Sequence, residues 1–491
     1  MIYLVLGCIT SKIDDTSVEE QPTTPPYNTV QTAILHLDEF EKIAIDHGGN
    51  RTTGSSGYLA SVDYVSEQLS DFGYTVVKQE FFVPTFQVNT PPEVSLADGL
   101  LSENDFVPLT YSPAGQGEGT IIAVDVDIPP GSPNSSTSGC QSSDFEGFIE
   151  GSVALIQRGS CTFYEKAQNA QNAGAVAVII FNEGQQGRTG VVDGTLGNSD
   201  LLIPVLGTSY DMGVSLVEKA GDSLQFLVDT SFDNVPSYNI IAEYGEGDKV
   251  LMVGAHLDSV PDGPGVNDNA SGCASILSVA QAFVHNQTEV DHKVRFAFWG
   301  AEELGLLGSY HYTENLESAE VEQIIAYLNF DMVGSPNFIR MVYDGDGSES
   351  SMSGPSGSDI IEDVFKKVLR DNDYSYTETI FDGRSDYAGF ISLGIPAGGL
   401  FSGAEGVMSQ IQASNFQGEA GESYDPCYHL GCDTRSNIND DGFTSMVQVV
   451  QTVVERIALD GLLPISNFVP LSFPHHFDEL HHKGGCHQNY D

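Results

Sequence analysis

Two histidines and several carboxylates stand where the chain changes character. His256 closes the apolar run VLMVGAH, Glu302 and Glu303 follow VRFAFWGA, and Asp331 follows IAYLNF. Asp268 comes twelve positions after His256, across a loop holding Gly263, Pro264, Gly265 and Asn267. His429, in DPCYHLGCDT, supplies a second imidazole. Each residue alone has a plain structural explanation. Glutamates suit the positive end of a helix. An Asp caps a helix or makes a turn, and a lone His at a strand end is more often structural than a ligand. Gathered at one edge, however, the carboxylates repel one another and raise their own pKa values unless a cation is present. Two His and three carboxylates suit zinc, which accepts both donor types. Five ligands exceed the usual three of one catalytic zinc. They fit two ions roughly 3.5–4 Å apart that share a carboxylate.

The elements that must position these groups follow from hydrophobic periodicity. From 236 to 462, the apolar strands KVLMVGAHLD, KVRFAFWGAE and IIAYLNFDMV alternate with amphipathic stretches such as SGCASILSVAQAFV. That rhythm predicts an α/β fold with a largely parallel, buried sheet, and ligands of such sheets collect beyond the carboxyl ends of the strands. Upstream, TAILHLDEFEKIAI and GYLASVDYVSEQLSDFGY carry apolar residues at helical spacing, the second stopping at Gly73. TVVKQEFFVPTF then alternates as a strand. Residues 105–235 differ in texture. Short runs (TIIAVDV, SVALIQ, VAVIIFN, IPVLG) are separated by Gly, Ser, Asn and Pro, with one helical stretch, YEKAQNAQNAGA. This segment reads as an inserted, mainly β module. The expected organisation is a linker or signal remnant over 1–30, an α/β domain in two parts (31–104 and 236–462), the module over 105–235, and a tail over 463–491.

At 491 residues, the chain is long enough for more than one core. Its formal net charge of -50 repels phosphate backbones and argues against a nucleic-acid partner. No apolar run is long enough to span a membrane. The start, MIYLVLGCIT, is too short for a complete signal peptide and lacks a basic beginning. It reads as a signal remnant, as a bacterial lipoprotein signal with Cys8 lipidated, or as an ordinary chain end. Seven cysteines are too few for a disulfide scaffold, yet enough for two or three bridges in an oxidising compartment. Asn50, Asn134, Asn269 and Asn286 lie in Asn-x-Ser/Thr triplets. In the tail, His475, His476, His481, His482 and His487 beside Cys486 read as a metal tract or, preferably, as an end with adventitious affinity.

Six segments occur in order: GAHLDSV…GPGVNDNASG, AFWGAEELGLLGS, NFDMVG, GRSDYAGF, GIPAGGLFSGAE and DPCYHLGCDT. Over about 33–95 and 236–462, they resemble the secreted di-zinc aminopeptidases of the bacterial leucine aminopeptidase type. The resemblance implies a mixed, mostly parallel sheet flanked by helices, the phosphorylase/hydrolase-like architecture of zinc peptidases. It implies that His256 and Asp331 bind one zinc, that Glu303 and His429 bind the other, and that Asp268 bridges them. It further implies Glu302 as general base, Asp258 orienting His256, Tyr428 donating to the oxyanion, and Arg384 near the substrate with Ser385 and Asp386. A Cys427–Cys432 bridge is also implied, where the residues alone also allow free thiols or further metal ligands. Tyr387 stands where relatives often have His, a change expected to alter the pocket and not the chemistry. The run GFIEGSVALIQRGSCTFYEKAQNAQNAGAVAVIIFNE resembles the protease-associated domain. That resemblance covers about 105–232 and implies a Cys140–Cys161 disulfide and either a gating element or a passive insertion. The expected substrates are peptides with a free N-terminus, acted on by a secreted or cell-surface protein, with a monomer favoured. The alternatives are another exopeptidase or a glutaminyl cyclase on the same scaffold, or an inactive receptor-like protein. The complete ligand set and Glu302 argue against the cyclase and the inactive protein.

Overall fold

The computed structural model describes residues 27–462 except 98, 102, 198, 199, 350 and 351, so Cys8 and the His-containing tail lie outside the described residues. One unit combines the residues up to Phe81 with those from Tyr238 onward, and a second spans Phe82–Ser237. In the first unit, a sheet forms from the last residues of β1 (Ser223–Tyr244) with β2 (Val250–His256), β3 (Lys293–Trp299), β4 (Ile324–Phe330), β5 (Met341–Tyr343), β6 (Thr377–Thr379) and β7 (Ala397–Phe401). Their order is β6-β5-β7-β4-β2-β3-β1. The four inner strands β7, β4, β2 and β3 run parallel, whereas β1 is antiparallel to β3 and β5 is antiparallel to β7.

Every residue of β2 is buried, as expected of a strand covered on both faces. Successive side chains point to opposite faces. Leu251, Val253 and Ala255 join a core built with helices α1 (Thr29–Asp46), α2 (Ser56–Phe72), α3 (Ser271–Asn286), α4 (Ser358–Asp371) and α5 (Asp440–Asp460). Val250 and Met252 face an aromatic cluster that includes Trp299, Tyr327 and Phe390. α2 begins where Ser55 accepts from the Tyr58 amide and ends at Gly73, whose φ of 99° is left-handed. Among the described residues, no helix is long and apolar enough to cross a membrane.

The second unit has strands Gly115–Val124, Val153–Gln157, Ala177–Phe181 and Val205–Thr208 in parallel, with helix Phe163–Asn172 between the second and third of them and helix Tyr210–Glu218 after the fourth. Cys140 and Cys161 are bonded within it. The strand Val76–Leu96 continues unbroken into this unit. There Thr85 Oγ1 donates to the Asp233 carbonyl and Asn89 Nδ2 to Asp229 Oδ1. The alternating pattern that marks this strand carries no sign of the change of unit.

Candidate metal centre

The parallel register sets the strand ends side by side. Trp299 pairs with His256, and Asn329 pairs with Gly254. Glu302 and Glu303 therefore emerge beside His256 on one flank, and Asp331 on the other. Asp268 sits in the turn Val266–Ala270, entered through Gly265 at φ 63° and leading into α3. His429 comes from a loop closed by the Cys427–Cys432 disulfide. Six residues from five segments thus share one small volume.

The distances divide them into two groups that meet at Asp268. His256 Nε2 lies 3.1 Å from Asp268 Oδ1 and 3.2 Å from Asp331 Oδ1. His429 Nε2 lies 3.2 Å from Asp268 Oδ2 and 3.2 Å from Glu303 Oε2. Within each triad, the candidate donor atoms fall within 4.8 Å of one another. Glu302 stands beside them, its Oε2 3.9 Å from His256 Nε2.

Charge makes the same case. Burial pushes the Glu302 carboxyl well above its ordinary range, and it pushes Glu303 up to about 7, helped by the charge of Asp268. Burial also disfavours a charged Asp268, but hydrogen bonds from His256 and His429 outweigh it and hold that carboxyl far below its usual value. Burial likewise opposes a charged His256, yet Asp331 and Glu302 hold it well above the usual range. His429, opposed by burial but bonded to Asp268 and Glu303, rises to about 10. Protonated imidazoles here do the work of a cation among acids. Glu303 Oε1 is also buried without a hydrogen-bond partner among the described residues. A divalent ion satisfies that oxygen, relieves the carboxylates and leaves the imidazoles neutral, so the residues fit a metal. The mixed nitrogen and oxygen donors match zinc.

The supporting residues are less legible in sequence. Asp258 Oδ1 lies 3.7 Å from His256 Nδ1, farther than the Asp258 carbonyl oxygen at 3.2 Å. Its carboxylate accepts from the amides of Glu302 (3.1 Å) and Glu303 (3.4 Å) and from Thr53 Oγ1 (3.1 Å). Asp258 thus fastens the Glu302–Glu303 turn to the His256 loop, beyond the expected role toward the imidazole. Asp433 accepts from the amides of Asn267 (2.9 Å) and Asp268 (3.0 Å), and Asn437 donates to Asp433 and Asp425. Ser385 Oγ donates to Asp331 Oδ2 at 2.6 Å. Asp386 is buried nearby, and burial raises its carboxyl to about 7. Arg51 is wholly buried and donates to the carbonyls of Leu257, Pro264 and Gly265, all in the loop between His256 and Asp268. In a further acidic group, Asp344, Glu362 and Glu378, the two glutamates already hold the ammonium of Lys366.

A cleft of about 590 Å³ opens onto the centre, lined by Met332, Met341, Tyr343, Ile380 and Phe401 as well as the polar groups. Tyr428 and Arg384 both line it. Arg384 is exposed and pairs with Glu405 at 2.7 Å. Tyr387 is buried, its hydroxyl donating to Asp382 Oδ1 and accepting from the Gly383 amide. It shapes the loop Asp382–Arg384 from below.

A model of peptidase family M28 matches residues 239–454, and a PA domain model matches 118–216. An aminopeptidase of Pseudomonas aeruginosa is 44% identical over 416 residues, covering 83% of this chain and 77% of that protein. A probable lipoprotein aminopeptidase, LpqL, of Mycobacterium tuberculosis is 38% identical over 453 residues, covering 89% of this chain and 88% of that protein. The solved structure of BSAP, a zinc aminopeptidase from Bacillus subtilis, superposes with a TM-score of 0.65 at 24% identity, covering 88% of this chain and 95% of that one, a likeness of fold.

Proposed function

Because the chain belongs to peptidase family M28, we propose that it is a zinc-dependent aminopeptidase that releases N-terminal residues from peptides, with two zinc ions held around Asp268. The observation that carries this reading is the division of labour at Asp268, whose two oxygens face imidazoles from different segments at 3.1 and 3.2 Å. His256 and Asp331 are assigned to one ion, Glu303 and His429 to the other, and Asp268 to both. Bound zinc supplies a Lewis acid, lowering the pKa of water towards ~7 and polarising the scissile carbonyl.

The chain's own residues do the rest. Glu302, buried and held through its amide by Asp258, takes a proton from the attacking water and delivers it to the leaving amine. Tyr428 donates a hydrogen bond from its hydroxyl to the developing oxyanion. The surplus of carboxylates favours a substrate with a free α-ammonium, and so an exopeptidase. Ser385 keeps Asp331 turned towards His256 through the 2.6 Å bond. Residues 105–232 are assigned to a protease-associated module. The two closed disulfides suit an oxidising compartment and so a secreted or cell-surface protein.

The test is Glu302→Gln, assayed on a panel of aminoacyl-p-nitroanilides with metal analysis alongside. The variant is expected to keep its zinc and lose about 10²–10⁴ in kcat. Turnover retained with zinc in place would remove Glu302 from the role of base. Wild-type activity that survives complete chelation would remove zinc from the reaction.

A further inference from the structure

An oxyanion donor is useful only if its proton is not already spent inside the protein. At Tyr428, the surroundings keep that proton available. Arg384 Nη2 donates to the Tyr428 hydroxyl oxygen at 3.1 Å. Arginine carries donors and no acceptor, so the phenol oxygen accepts there and retains its own hydrogen. Among the described residues no acceptor takes that hydrogen, and Tyr428 lines the same cleft as Asp268, Glu302, Glu303 and His429. Arg384 is itself held from two sides. Its Nη1 donates to Glu405 Oε1 at 2.7 Å, and its amide donates to Asp382 Oδ1 at 3.0 Å. Asp382 Oδ1 also accepts from the buried Tyr387 hydroxyl at 2.8 Å. On the other flank, the Tyr428 ring stacks on His429, with centroids 3.8 Å apart.

We infer that Arg384 is a positioning residue that acts through Tyr428, and that Glu405 sets Arg384 in place for that task. The guanidinium occupies the acceptor side of the phenol and turns its O–H towards the reacting carbonyl. A hydrogen bond received by a hydroxyl also strengthens the one it donates. The Arg384 and Glu405 side chains are 55% and 58% exposed, so their ion pair adds little to folding. That exposure leaves both positions open to substitution without loss of the fold. The inference rests on the aminopeptidase reading and adds to it two residues outside the metal ligands.

A double-mutant cycle on the zinc-loaded, full-length protein tests it, with kcat and KM read separately on an aminoacyl-p-nitroanilide. Tyr428→Phe is expected to lower kcat about 100-fold. Arg384→Met is expected to lower kcat about 10-fold in the wild-type background and under about two-fold in the Tyr428→Phe background. Glu405→Gln should follow the same pattern more weakly, at about three-fold and then nothing. KM should stay within about two-fold throughout. Losses from Arg384→Met and Tyr428→Phe that simply multiply would overturn the inference. So would a loss confined to KM, which makes Arg384 a substrate contact. A wild-type protein without hydrolytic activity would instead overturn the underlying reading, an outcome seen before any variant is made.

Discussion

Arg51→Met removes a buried cation while keeping most of its volume. Arg51 is 0% exposed and donates to three carbonyl oxygens, those of Leu257, Pro264 and Gly265, the last two at 3.0 and 2.7 Å. Its guanidinium also lies 5.3 Å from the Phe40 ring centroid. Methionine offers no donor, so three acceptors in a packed loop lose their partners. A buried polar group left unsatisfied costs roughly 1–3 kcal/mol. Over three acceptors, with some relief by local rearrangement, that amounts to about 5 kcal/mol. In a unit of this size, that lowers the unfolding midpoint by about 10 °C. The loss falls on the stretch that joins His256 to Asp268, so zinc affinity should drop with stability, by about ten-fold or more. Thermal unfolding of apo and zinc-loaded protein, followed by far-UV circular dichroism and paired with a competitive zinc titration, reads both effects. Arg51→Lys should recover part of the stability, since it restores one donor group. An Arg51→Met protein with a midpoint within about 2 °C of wild type and unchanged zinc affinity would refute the reasoning.

His36 on α1 gives an acid-stability signature. It is buried, with Nδ1 2.6 Å from the Tyr64 hydroxyl and Nε2 without a hydrogen-bond partner among the described residues, and burial lowers its pKa from 6.5 to about 4. The unfolded chain therefore binds a proton first as pH falls. Stability present above pH 6.5 is lost as pH falls from 6.5 to 4, by roughly 3 kcal/mol in all. Urea midpoints across that range should show the slope, and His36→Leu should flatten it. Replacing Cys427 and Cys432 together by Ser should leave the fold intact but loosen the loop that carries His429, whose side chain is 41% exposed. Zinc should then bind about ten-fold more weakly, with one of two ions lost first on dialysis. Equal retention of both ions would show that the disulfide does not hold this ligand.

The strand ends and the His and carboxylates beside them were legible because the signal is local. An apolar run that stops at His or a carboxylate places that residue at the sheet's edge, and β2, β3 and β4 each do this. The end of α2 was legible for the same reason, since Gly73 acts within a turn of the helix. Residues that act across the chain were not. Arg51 sits in GGNRTTGSSG, a stretch that reads as a polar turn, yet its partners lie more than 200 positions away. Asp433 belongs to DPCYHLGCDT, but its partners, the Asn267 and Asp268 amides, are fixed only by tertiary packing, and Asn437, just beyond that stretch, donates back to Asp433 and Asp425. The passage from one unit to the other at Phe82 leaves no local mark, because one strand runs through it without a break in its pattern. Tyr387 was visible as a departure from the family, and its bonds to Asp382 and Gly383 give it a place beneath the pocket loop.

Anomalous diffraction at the zinc edge, on crystals of the zinc-loaded protein, tests the shared carboxylate most directly. Two peaks are expected, roughly 3.5–4 Å apart, one beside His256 and Asp331 and one beside Glu303 and His429, with Asp268 between them. A single peak at full zinc occupancy, or a second peak away from Asp268, would contradict a two-ion centre.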